Sequence, residues 1–172
     1  GLRRRDLTGP PGAAAQPGAT DSQQGRAGAP LPKVLSISDL GRDVPALLDH
    51  LGVEEAFFCG LSLGGMVGMW LGAHAPERIR KLVISNTSAR IEQPELLLQR
   101  IESIRRPGLA SISESVVSKW FTDEYRARRP QTVSWAREML LETHPEGYAV
   151  LAETVSRLDL REDLEDIDLP CL

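Results

Sequence analysis

"CGLSLGG", Cys59 to Gly65, decides how this chain folds. Within it, Gly60-Leu61-Ser62-Leu63-Gly64 is a G-x-S-x-G pentapeptide. The residues before it, Val53 to Cys59, read as a short buried strand. Those after it, Met66 to Ala75, are mostly apolar and stop at Pro76. Strand, sharp glycine turn and helix are the setting of a nucleophile elbow. A chain that reverses so tightly holds its central serine in a strained backbone conformation, and only small neighbours fit around it. Gly60 and Gly64 are expected to supply that room. Ser62 is then lifted off the sheet edge. The N–H of Leu63, at the helix start, points the same way and can donate to the oxyanion of a tetrahedral intermediate, with the helix dipole behind it. The bland alternative is a tight turn around an incidental serine. The flanking strand and helix, and the extra Gly65, favour the elbow.

Working outward, "KLVISN" (Lys81 to Asn86) reads as a second buried strand. Strand, helix, strand in that order is a βαβ unit and implies a parallel sheet. The continuous apolar run "AFF" suits a sheet covered on both faces. Upstream, Ile37, Leu40, Val44, Leu47, Leu48 and Leu51 recur as one face of a helix. Ser36 with Asp39 resembles a capping box, and Gly52 a C-terminal stop. Pro45 predicts a kink, or a helix that starts only near Val44. Downstream, Pro94 to about Asp166 is helical throughout in pattern, with Trp120 and Trp135 at the spacing of residues that pack a helical core. The chain then returns to a strand-like "LPCL". The expected fold class is α/β: a parallel sheet core over residues 33–93, an all-helical cap over 94–166, and the beginning of a further, truncated strand at 167–172.

The chain has 172 residues, within the range of one domain, and its 41% hydrophobic content is enough for a packed core. A net charge of −4 without long runs of one sign argues against nucleic acid or a membrane surface as partner. No apolar stretch of about 18 residues predicts a transmembrane helix. Residues 1–32 are rich in Gly, Pro, Ala, Gln and Arg and hold no aromatic residue, Val or Ile. Such a segment cannot offset its own ordering entropy, so a disordered or non-native tail is expected. Arg3 to Arg5 are followed by no apolar run, so the segment does not read as a signal peptide. Cys59 and Cys171, each in an apolar strand-like segment, read as reduced core thiols of a cytoplasmic protein. No metal-ligand spacing, phosphate loop or dinucleotide fingerprint is present, so no cofactor is expected.

A serine at its ordinary pKa is a weak nucleophile and needs a base, usually His, oriented by an Asp or Glu. The three histidines fit that role poorly. His50 precedes the serine, against the usual order of nucleophile, acid, base. His74 lies about three turns down the following helix, roughly 15 Å along its axis. His144 sits in the helical insertion, in the turn "ETHPEG". The sequence shows a nucleophile without a convincing base.

"GLSLGGMVGMWLGAHAPERIRKLVISNTSARI", Gly60 to Ile91, resembles the elbow region of the α/β-hydrolase superfamily, and within it the 3-oxoadipate enol-lactonases. "SISDLGRDVPALLDHLGVEEAFFCG", "SVVSKWFTDEYRARRP" and "LREDLEDIDLPCL" extend the likeness over roughly Ser36 to Leu172. The resemblance implies a cofactor-independent serine hydrolase acting on a small lactone or ester, with Ser62 as nucleophile and Leu63 N–H as one oxyanion donor. It implies an acid after the strand that begins at Leu169 and a His further on, both outside this chain. The family's second oxyanion loop has no match here, and "GLRRRDLTGPPG" stands where its earlier strands and glycine-rich turn would be. Another ester, amide, perhydrolase or C–C hydrolase specificity on the same elbow is the nearest alternative, and a catalytically inactive fragment is the other. A carboxylate-bearing lactone would suit a lid arginine among Arg100, Arg105, Arg106, Arg126, Arg128 and Arg129. The simpler reading of these arginines is a solvated face balanced by nearby acids.

Overall fold

The computed structural model describes residues 35–105 and 107–172. The expectation for residues 1–32 and the side chain of Arg106 lie outside them. A parallel pair of strands carries the site: β1 (Ala56–Leu61) and β2 (Ile79–Ser85), in register from Phe57 opposite Lys81 to Leu61 opposite Ser85. Before them runs helix α1 (Ile37–Leu51), and between them α2 (Leu63–His74).

The capping box of α1 forms as its sequence implies. Asp39 N–H donates to Ser36 Oγ at 3.2 Å, and Ser36 N–H donates to Asp39 Oδ2 at 2.8 Å. The Ser36 hydroxyl and N–H, with Arg42, hold the Asp39 carboxyl down at about 2. Gly52 ends the helix at φ 66°, a left-handed cap that glycine adopts without penalty. Pro45 neither starts nor breaks the helix, which runs from Ile37 through it to Leu51. Gly41 lies one turn before Pro45 and against Trp70 of α2. A Cβ there would stand 2.0 Å from the indole, so the close crossing of α1 and α2 depends on the missing side chain.

The core of this unit is one-sided. Val67, Leu71, Ala75, Ile79 and Leu82 are buried together, with Leu40, Val44, Phe58 and Trp70 packed against them. Phe57 and Leu61, which alternate with Phe58 and Gly60 along β1, are 70% and 66% exposed. The sheet is therefore covered on one face among the described residues, not on both. Cys59 points the same way, and it and Cys171 are free and exposed rather than buried. The apolar run "AFF" identified a strand but not how many of its faces are covered here.

Five helices follow: α3 (Pro94–Ile104), α4 (Ser113–Trp120), α5 (Asp123–Arg128), α6 (Pro130–Glu142) and α7 (Pro145–Ser156). They build a second apolar cluster from Ile101, Ile104, Leu109, Ile112, Val116, Val117, Leu140, Ala149 and Ala152. Trp120 and Trp135 do not pack it, being 53% and 60% exposed. On α6 the inward positions belong to Ala136 and Leu140, and Trp135 is one residue, about 100°, out of phase with them. Trp120 is the last residue of α4, where the chain turns away.

The helical pattern also stops short of Asp166. Arg157 to Glu162 is not helical: Asp159 pairs antiparallel with Arg90, and Leu160 N–H donates to Ala89 O at 2.9 Å. A short 3-10 turn, Asp163–Asp166, precedes the return to the sheet. There Leu82 N–H donates to Pro170 O at 3.0 Å and Leu172 N–H to Leu82 O at 3.0 Å, laying Cys171 parallel to β2.

Candidate active site

β1 and β2 run parallel, so their carboxyl ends meet at one rim, and Ser62 stands there. Its N–H donates to Ser85 O at 3.0 Å, joining the last residue of one strand to the turn after the other. Ser62 has φ 53° and ψ −117°, and Asn86, the residue after β2, has φ 47°. An L-residue held at positive φ costs on the order of 1–3 kcal/mol, and such outliers gather at functional sites. Ser62 is solvent-exposed and caps α2 from outside the helix. Its carbonyl accepts from Met66 N–H at 3.1 Å, and no side chain among the described residues caps the first turn. The amide of Leu63 is thus one of the donors that a helix start leaves without an intrahelical partner, at the positive end of the dipole.

The glycines divide the labour differently from the sequence expectation. A Cβ on Gly60 would lie 2.1 Å from Gly64 O, an impossible approach to backbone. Gly64 itself faces open space, with nothing within 4 Å of its would-be Cβ. The second close approach is at Gly65, where a Cβ would come within 2.6 Å of Thr87 Cγ2. Gly60 and Gly65, not Gly60 and Gly64, let the elbow close against the rim. Thr87 was not singled out by sequence. Its methyl packs on the elbow helix, and its hydroxyl is buried without a partner among the described residues.

Among the described residues, none of the histidines is hydrogen-bonded to Ser62. His50 lies in the last turn of α1. His74 ends the twelve-residue α2, about 18 Å from its start. There its Nε2 lies 2.6 Å from Asp163 Oδ1, and its ring packs 5.0 Å from that of Trp70. This ties the far end of the elbow helix to the turn before the return strand. His144 caps α7, its Nδ1 accepting from Gly147 N–H at 3.4 Å. The structure brings Ser62 and Leu63 together at the rim and places each histidine in a structural contact or a helix end.

Three of the arginines named above meet an acid of their own segment, whereas Arg100 Nη1 donates to Tyr148 Oη of α7 at 3.4 Å. Arg105 pairs with Glu102, Arg126 with Asp123 and Arg128 with Glu124, each one turn away. Arg105 and Arg128 thus fit a solvated face balanced by nearby acids, while Arg126 Nε is buried without a partner among the described residues. Where the segment after β2 crosses the segment after α7, a junction here termed the hinge, the arrangement differs: Asp159 receives Arg161 Nε at 2.8 Å and Nη2 at 2.7 Å, and Arg90 Nη1 lies at 3.8 Å. Hydrogen bonds from the Arg161 guanidinium, then from its N–H, lower the Asp159 carboxyl to about 2.

The sequence profile of the family described as alpha/beta hydrolase fold matches residues 16–147. The chain belongs to that family. The α/β-hydrolase chain is 38% identical over 136 residues to 3-oxoadipate enol-lactonase 2 of Acinetobacter baylyi, covering 79% of this chain and 51% of that protein. The crystal structure of the enol-lactonase from Burkholderia xenovorans LB400 superposes with a TM-score of 0.79 at 36% identity, over 82% of this chain and 55% of that one. A thermophilic esterase from Thermogutta terrifontis, solved with malate bound, superposes with a TM-score of 0.75 at 27% identity, over 82% and 54%. The chain spans about half the length of the curated relatives it matches. No described helix is long and apolar enough to cross a membrane.

Proposed function

We propose that this α/β-hydrolase chain carries the nucleophile of a serine hydrolase that opens a carboxylate-bearing enol-lactone, that of 3-oxoadipate in aromatic catabolism. The observation that carries the reading is Ser62 at positive φ, exposed at the rim and immediately before the first amide of α2. Similarity to two enol-lactonases of Acinetobacter baylyi supports the lactone. Ser62 Oγ attacks the lactone carbonyl carbon, and its proton passes to a base. The Leu63 N–H donates to the resulting oxyanion. The ring C–O bond then breaks, and the enolate oxygen leaves with the proton returned by the base. Water attacks the acyl-enzyme, releases the new carboxylate and restores the serine hydroxyl. No base is assigned here: His74 meets Asp163, His144 caps α7, and His50 lies in the last turn of α1. A second reading, hydrolysis of a carboxylic ester, is supported by the similar malate-bound esterase, whose ligand also bears carboxylates.

The test is ring opening of 3-oxoadipate enol-lactone, followed by loss of its ultraviolet absorbance, with Ser62→Ala beside the wild type. With imidazole supplied as the base, the reading expects ring opening by the wild type and a loss of at least a hundredfold in Ser62→Ala. Equal rates, or hydrolysis of simple esters with none of the lactone, would count against it.

A further inference from the structure

The segment that leaves β2 wraps the elbow and then exposes an arginine. Thr87 packs on Gly65, and Ala89 and Ile91 share an apolar cluster with Leu63, the residue after the nucleophile. Ser88, Arg90 and Glu92 are exposed and, with Ala89 and Arg161, line a cavity of about 500 Å³. Arg161 is already bound through two nitrogens to Asp159, whereas Arg90 meets that carboxylate only at 3.8 Å through one. Glu92, which lines the same cavity, is not in an ion pair with either arginine. Arg90 thus presents most of its planar fork of donors to a cavity lined by the segment that follows the carboxyl end of β2, the side of open α/β sheets on which ligands bind. A guanidinium matches a carboxylate bidentately. Arg105, Arg126 and Arg128 likewise meet Glu102, Asp123 and Glu124 through one nitrogen each, but none of them lines this cavity.

We propose that Arg90, backed by Arg161, is the subsite for a carboxylate on the substrate's acyl chain. The inference rests on the reading of Ser62 as the nucleophile for a carboxylate-bearing lactone or ester, and it names the group that would select such a substrate. Ser85, bonded to Ser62, is five residues from Arg90. The two α-carbons are therefore at most about 18 Å apart, and closer wherever the loop is not fully extended.

The experiment is calorimetric titration of the chain with glutarate at low salt, and with uncharged glutaramide, in wild type, Arg90→Gln, Arg90→Lys, Arg105→Gln and Ser62→Ala. Circular dichroism checks the fold of each. Expected is glutarate binding without glutaramide binding in wild type, Ser62→Ala and Arg105→Gln. Arg90→Gln should weaken it at least tenfold, and Arg90→Lys should fall between. Wild-type affinity in folded Arg90→Gln, an equal loss in Arg105→Gln, or no glutarate binding by the wild type would overturn the subsite. The same samples are treated with a fluorophosphonate. Labelling of Ser62 without glutarate binding sinks the subsite alone, and glutarate binding without labelling sinks the nucleophile alone.

Discussion

At the elbow, a Cβ on Gly60 would stand 2.1 Å from Gly64 O; among the later helices, Arg105 and Arg128 each meet an acid one turn away in solvent. One region is fixed by sterics that admit a single residue type. The other is dressed with short-range pairs whose partners are interchangeable, because an exposed ion pair is worth about 0–1 kcal/mol. The difference shows where this chain concentrates constraint. Backbone at positive φ, backbone against backbone and a bare helix start all fall within the few residues around Ser62, while the cap keeps its order through a separate apolar cluster.

The contrast can be broken or sharpened by substitution. The largest effect is expected at the serine. Ser62→Ala should lower hydrolysis of any substrate the protein turns over by at least about a hundredfold, since removing a nucleophile leaves only binding and oxyanion stabilisation. An unchanged rate would empty the elbow of chemistry. Next comes Gly60→Ala, which must displace backbone and should cost about 3 kcal/mol or more in urea unfolding. Gly64→Ala, by contrast, enters open space inside a helix and should be neutral or stabilising by up to about 1 kcal/mol. Equal costs at the two glycines would remove the steric account. In α1, Gly41→Ala drives a methyl into Trp70 and should cost about 1–3 kcal/mol by the same measurement.

A pH titration tests the α1 cap. The Asp39 carboxyl is depressed in the folded chain, so its stabilising effect is complete above the unfolded carboxylate value near 4. It should fade as pH drops from there through about 2. Asp39→Asn should flatten that part of the stability profile. The smallest effect is expected in the cap, where Arg105→Gln and Arg128→Gln should each change stability by less than about 0.5 kcal/mol.

Much of the elbow was legible because its signals are local. A strand, two close glycines and an apolar helix occur within one short stretch, and Ser36, Asp39 and Gly52 likewise announce α1 by chemistry at fixed offsets. What sequence could not supply was tertiary phase. Trp135 sits at helical spacing, yet only the neighbouring helices decide that Ala136 and Leu140 take the inward side. "AFF" reads as buried on both faces, while Phe57 lies open because the described core covers one face. The G-x-S-x-G pattern names Gly64, but the close contact falls on Gly65, through Thr87 from another strand end. The hinge pair of Arg90 and Asp159 joins residues far apart in the chain and carries no local signature.

The nucleophilic character proposed for Ser62 needs only an added base to show itself. It is tested most directly by reacting the chain with a fluorophosphonate at pH 8 with imidazole added as an external base, and locating the adduct by peptide mass spectrometry. The account predicts a single adduct on Ser62, faster with imidazole and absent from Ser62→Ala. A folded chain that stays unmodified at Ser62, or that is labelled equally at other serines, would contradict it.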